Sequence, residues 1–199
     1  MRIKVTPVFT DKRVFQLEYV PERILHRDEQ ISRIRSILAD LERGVRPRNM
    51  LCVGDFGSGK TAVVRSICRN LPVGVISSYV NCSEQNTENR VIRSVLRDLG
   101  VSVKLGFPSD HYLQLFKDSV ARTSSLILVL DEVDKLVERK NSDYEELFYT
   151  LSRSVSNVVV VLLTNESASR PRFSQALTHE SETPSDLQEL NLMIMTLQN

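Results

Sequence analysis

The sequence lacks the features that mark several common ways of working. It holds only three cysteines, Cys52, Cys68 and Cys82, without a CxxC spacing, so any disulfide scheme strands one thiol. That usage argues against a disulfide framework and a thiolate metal site and fits a reducing, cytoplasmic setting. No apolar run reaches the roughly 18 residues of a membrane span, and the opening MRIKVTPVF has no apolar signal-peptide core. Internal repeats and low-complexity tracts are absent. No charge sign dominates: 26 Lys and Arg stand against 25 Asp and Glu, a formal net charge of +1. The totals therefore announce neither a global basic field nor an acidic, disordered chain. One absence is local. No Lys or Arg follows Arg172, while Glu180, Glu182, Asp186 and Glu189 do, so the charge is +5 through Arg172 and −4 beyond it.

What remains is a core former. Of 199 residues 41% are hydrophobic, enough for about one domain with a substantial interior. Residues 1–26 read as irregular, punctuated by Pro7 and Pro21. Ile31, Ile34, Leu38 and Leu41 then recur at helical spacing, with Gly44 and Pro47 as a stop. After that, short apolar runs alternate with helical patterns. The runs are NMLCV (49–53), VGVISSYV (73–80), LILVL (126–130) and VVVVLL (158–163). The helical patterns cover 61–71, 87–100, 109–122 and 143–152, with Thr87 and Ser109 as expected caps of the second and third. Fully apolar strands separated by helices predict a mainly parallel sheet covered on both faces, a three-layer α/β sandwich.

GDFGSGKT (54–61) satisfies GxxxxGK[ST] between a strand and a helix, the context that gives this pattern meaning. Glycines at 54, 57 and 59 let successive N–H groups turn towards phosphate oxygens, and the helix N-terminus adds partial positive charge. Gly54, Asp55, Phe56, Gly57, Ser58, Gly59, Lys60, Thr61 and Ala62 are thus candidate nucleotide contacts. Lys60 is expected at the β- and γ-phosphates and Thr61 on Mg²⁺. The acidic partner is LILVLDEVD (126–134): Asp131 is expected to serve Mg²⁺ and Glu132 to activate water, both at the carboxyl edge of the sheet. Asp134 reads as a helix cap. Asn165, ending the 158–163 run, suits a group that hydrogen-bonds the lytic water or γ-phosphate, although Asn is also a common turn residue.

With these motifs the chain resembles an AAA+ ATPase, a P-loop NTPase. VFTDKRVFQLEYVPERILHRDEQI (8–31), YVNCSEQNT (79–87), LDEVDKLV (130–137) and YEELFYTLSR (144–153) are similar to the archaeal replication-initiator family homologous to origin recognition complex subunit 1 and cell division control protein 6. That resemblance implies binding of ATP or ADP with Mg²⁺, origin DNA as a partner, and other initiator subunits or the replicative helicase as further partners. It implies Tyr19, Val20, Pro21, Leu25 and Arg27 around adenine and ribose, Asp131 and Glu132 in metal binding and hydrolysis, and Asn165 as first sensor. It also gives the 87–122 segment as the DNA-contacting element. There Arg90, Arg93 and Arg97 share one helical face, which read alone is equally a solvated stripe.

The expected organisation is a nucleotide-pocket segment (1–26), an ATPase core (27–172) and a divergent acidic tail (173–199). Arg172 is the expected arginine acting on a neighbouring subunit's nucleotide. The resemblance continues in other members into a helical lid and a winged helix, for which 199 residues leave no room, so slow turnover is expected. In the tail, Ser185 and Gln188 suggest a capping box ahead of Leu187, Leu190, Ile194 and Leu197, and a helix over 185–198 is the expectation. The alternative is a strand over LMIMTL (192–197) beside 49–53. The rival functional readings are a clamp-loader-like subunit and a nucleotide-dependent module that docks on full-length initiators without touching DNA.

Overall fold

The computed structural model describes residues 19–21, 24–43, 45, 49–123, 125–138, 144–153, 157–165 and 192–197. The frame is one five-stranded sheet of β1 (Asn49–Gly54), β2 (Val75–Asn81), β3 (Ser125–Asp131), β4 (Val158–Thr164) and β5 (Leu192–Leu197). Its order is β2-β3-β4-β1-β5 and every pairing is parallel. The helices are α1 (Asp28–Glu42), α2 (Lys60–Cys68), α3 (Glu88–Asp98), α4 (Ser109–Val120), the single turn α5 (Asp134–Val137) and α6 (Tyr144–Arg153). β1 and β4 are buried at every residue, and β3 at every residue after Ser125. Such continuous burial follows from their unbroken apolar composition and requires a covering layer on each face.

The period-2 alternation of the strands sorts that interior into two cores. Leu126, Leu128 and Leu130 of β3 join Val160 and Leu162 of β4 on the face covered by Val91 and Val95 of α3, Phe116 of α4 and Phe148 of α6. Ile127, Val129, Val161 and Leu163 face the other way, towards Ile34 and Leu38 of α1 and Val63, Val64 and Ile67 of α2. Fully burying each such side chain contributes roughly 1.5–3 kcal/mol relative to exposure. The expected three-layer sandwich is therefore the architecture. Among the described residues, no helix is long and apolar enough to cross a membrane.

The element ends carry the differences from expectation. α2 stops at Cys68 rather than near Leu71, because Asn70 N closes a tighter turn on the Ile67 carbonyl at 3.0 Å, ahead of a residue that Pro72 keeps out of helical geometry. Thr87 caps α3 as expected, its hydroxyl accepting from Arg90 N at 3.3 Å. Ser109 does not cap α4: Pro108 holds that position, and Ser109 is the first helical residue. Its Oγ instead accepts from Asn89 Nδ2 at 2.9 Å and ties α4 to α3.

The larger correction concerns the tail. Residues 192–197 are a strand, paired with β1 from Asn49 opposite Leu192 to Gly54 opposite Leu197, and not the expected helix. The proposed capping residues Ser185 and Gln188 lie outside the described residues. The apolar positions of this short run fit either period, and tertiary context decides. β1 presents an open row of backbone donors and acceptors on its outer side, which only a strand can satisfy. Met195 and Leu197 accordingly go inward while Thr196 is exposed.

Where β5 ends it touches the phosphate loop. A Cβ on Gly54 would lie 2.3 Å from the Leu197 carbonyl oxygen and 2.9 Å from Ser58 Oγ. Gly54→Ala is therefore expected to lower the stability by about 1–3 kcal/mol through overpacking. Urea unfolding checks this as a lower midpoint at unchanged slope.

Candidate functional site

In a parallel sheet all carboxyl ends lie at one edge, and here β1, β4 and β3, adjacent in that order, end in Gly54, Thr164 and Asp131. Ligands of open α/β sheets bind at that edge. The loop from Asp55 to Gly59 links β1 to α2. Gly59 occupies the N-cap of α2 at φ 86°, a left-handed conformation that a side chain would strain, and its carbonyl accepts the first helical bond from Val63 at 2.9 Å. Ser58 is buried, whereas Asp55 and Phe56 are exposed at the loop's outer rim, and Gly57 has φ 78°.

Lys60 is only 6% exposed. Its ammonium donates to the Gly54 carbonyl at 2.7 Å, the Asp55 carbonyl at 2.8 Å and Ser58 Oγ at 3.4 Å. Burial lowers its pKa, and the nearby carboxylates of Asp131 and Asp55 oppose that shift. A cation, the loop backbone and the positive end of α2 thus converge at one place, an arrangement suited to a phosphate chain.

Beside it sits Asp131, 5% exposed. Its Oδ2 accepts from Thr61 Oγ1 at 2.6 Å and from the Tyr79 hydroxyl at 2.5 Å, and its Oδ1 accepts from the Glu132 amide at 2.9 Å. Thr61 and Asp131, two hard oxygen donors from distant parts of the sequence, are therefore in direct contact. Glu132 follows at φ 52°, so the chain leaves the strand abruptly there, and the residue is half-buried. The β3–α5 corner is pinned to β4 by Val133 N on the Leu163 carbonyl and by Thr164 Oγ1 on Asp134 Oδ1, each at 3.1 Å. Asn165 comes directly after Thr164, whose register partner is Val53 of β1, so it stands at the same edge between the phosphate loop and Asp131.

The segment expected around adenine and ribose divides. Val20 is buried and its carbonyl accepts from Arg69 Nη1 at 2.8 Å; Arg27 Nη2 donates to the Ser58 carbonyl at 3.0 Å. These two join the segment to α2 and to the phosphate loop. Pro21 is half-buried, and Tyr19 and Leu25 are exposed. Ala62 is half-buried in the first turn of α2. Arg172 lies outside the described residues. On α3, Arg90 and Arg97 are exposed, but Arg93 folds back: its Nε donates to the Asn89 carbonyl at 3.1 Å and its guanidinium lies 5.7 Å from the Tyr112 ring. Sequence reasoning missed Arg69, Tyr79 and Arg65, whose guanidinium lies 3.9 Å from the Tyr79 ring centroid. The one available signal was the i, i+4 spacing of Thr61 and Arg65, which puts them on one face of α2.

A family model described as an AAA domain matches residues 43–172. The ORC1-type DNA replication protein 1 of Methanosarcina acetivorans is 35% identical over 155 residues, 73% of this chain and 36% of that protein. The ORC1-type DNA replication protein of Pyrococcus horikoshii is 30% identical over 219 aligned residues, 97% of this chain and 51% of its own length. Among solved structures, the Aeropyrum pernix ORC1 protein in complex with DNA matches with a TM-score of 0.76 at 27% identity, over 93% of this chain and 48% of that one. The chain belongs to the archaeal ORC1/Cdc6-type AAA+ family. It spans about a third to a half of the length of the curated relatives it matches.

Within this AAA+ core Cys52 and Cys82 are buried and Cys68 is half-buried. Burial pushes Cys52 up to about 12 and Cys68 up to about 11, and raises Cys82 as well. Among the described residues no group of three or more His, Cys, Asp or Glu could hold a metal ion by itself. At pH 8 the folded protein is expected to resist iodoacetamide at Cys52 and Cys82, whose thiolates are scarce and enclosed. All three cysteines should react in denaturant, and mass spectrometry of the labelled chain reads both states.

Proposed function

We propose that this AAA+ core binds ATP or ADP together with Mg²⁺ and acts in the initiation of DNA replication. The observation that carries the nucleotide reading is the assembly of Lys60, Thr61 and Asp131 at one edge of the sheet: a buried ammonium in the loop and a hydroxyl–carboxylate contact beside it. Thr61 and Asp131 fit Mg²⁺, a cation that takes oxygen donors, keeps waters and is usually bound by one or two carboxylates plus substrate phosphates. When bound, Mg²⁺ supplies neutralisation of phosphate charge. Lys60 and the loop amides bind the β- and γ-phosphates, Thr61 and Asp131 hold the cation, Glu132 accepts the proton of the attacking water, and Asn165 orients that water. Arg27 holds the base-side segment against the loop, and Val20 ties it to Arg69 at the end of α2.

The replication reading is supported by the ORC1-type relatives and by the Aeropyrum pernix protein solved with DNA. Origin DNA is assigned to the α3–α4 segment, where Arg90 and Arg97 are available for phosphates and Arg93 serves the packing of α3 on α4. Other initiator subunits or the replicative helicase are the protein partners in this reading.

Lys60→Ala is expected to weaken ADP binding by about 10- to 100-fold, the loss of a charge-assisted contact, in isothermal titration. Wild-type affinity in that variant would overturn the site. For DNA, gel-shift titration with origin duplex over a range of salt should give a salt slope that falls by about 2 in the double variant Arg90→Ala/Arg97→Ala. Absence of any shift at low salt would remove the DNA role and leave the module that docks on full-length initiators.

A further inference from the structure

Asp131 Oδ2 receives two hydroxyl protons, and only one of them comes from the phosphate-loop threonine. The second donor, Tyr79, belongs to β2, the strand at the far edge of the sheet from β1. Its place is fixed by register: Tyr79 lies opposite Val129, and Asn81 opposite Asp131. The phenol therefore has to lean along β2 to reach a carboxylate two positions further on. The ring is held for that reach from above. Arg65, one turn after Thr61 on α2, lays its guanidinium 3.9 Å from the ring centroid. On the opposite face of the same strand Ser78 Oγ donates to Asp98 Oδ2 of α3 at 2.5 Å, so β2 is fastened on both sides around Tyr79.

A carboxylate offers about four lone-pair sites. Thr61, Tyr79 and the Glu132 amide occupy three of those on Asp131, both on Oδ2 and one on Oδ1. We infer that Tyr79 is a positioning residue for nucleotide-linked Mg²⁺ binding: its bond to Oδ2 fixes the Asp131 rotamer beside Thr61, so that the two oxygen donors would be presented together to the cation, with Arg65 holding the ring in place. This role rests on the reading of the site as one for Mg²⁺ and nucleotide. The phosphate contacts of Lys60 and the loop do not pass through Tyr79, so its removal separates the two halves of the site.

The test is the affinity for ADP measured by isothermal titration with Mg²⁺ and with EDTA, together with thermal unfolding, for wild type and Tyr79→Phe. Wild type is expected to bind more tightly with Mg²⁺, and Tyr79→Phe to lose about three- to tenfold of that gain while keeping the wild-type affinity in EDTA. A lowered melting temperature with an undiminished Mg²⁺ gain would make Tyr79 merely structural and overturn the inference. If wild type itself gains nothing from Mg²⁺, the reading of the metal site fails and the inference with it; an undiminished gain in Tyr79→Phe alone leaves that reading intact. Should Tyr79→Phe not fold, Arg65→Met decides. It keeps the hydroxyl but frees the ring, and should cost about two- to fivefold of the Mg²⁺ gain; no loss overturns the assignment.

Discussion

Asp131 is a buried carboxylate at the end of an apolar strand, and its tolerance there depends on three donors from three places: α2, β2 and the peptide bond that follows it. An unpaired charge in that position would cost several kcal/mol. The fold can keep it only if β2 pairs with β3 in the observed register and α2 begins where Thr61 faces inward. Sheet register and helix start are thereby tied to the same point where the site's chemistry resides. A slip of one residue in β2 would put Ser78 or Val80 where Tyr79 stands and turn the phenol to the other face.

The phosphate loop is held from its other side by packing rather than charge. Gly54 lets β5 approach so closely that a single methyl group would collide with the Leu197 carbonyl. The Ser58 carbonyl is held by Arg27 and the Val20 carbonyl by Arg69. The loop is thus held by the entry segment and by β5, and the entry segment is itself anchored at the end of α2.

Much of this was legible in the sequence because the signals were local. GDFGSGKT lies between a strand and a helix, LILVLDEVD carries its carboxylates at the end of an apolar run, and the continuous burial of β1, β3 and β4 follows from their composition. What escaped is what distance along the chain conceals. The pairing of Tyr79 with Asp131 joins residues 52 positions apart, and no period in the sequence links a tyrosine on one strand to an aspartate on the next. β5 was misread as a helix because six residues with apolar positions at 192–195 and 197 satisfy two periods, and only the open edge of β1 chooses between them. Ser109 looked like a cap, yet Pro108, with its fixed φ, took that position. Arg27 was assigned to the nucleotide through family resemblance, while its hydrogen bond to the Ser58 carbonyl depends on how the entry segment folds back.

The position of β1 has a bearing on how the molecule is made. Both of its neighbours, β4 and β5, come from the last quarter of the chain, and the Asn49 side chain even receives the amide of Val160 across 111 residues. Loops of that length close slowly and only when their far ends exist. A ribosome that has released residue 70 has delivered every atom of the phosphate loop but none of the strands that hold its first glycine in place. A ligand stabilises whatever state binds it, so in a growing chain any ligand of this loop can act only after β4 and β5 have arrived to hold it.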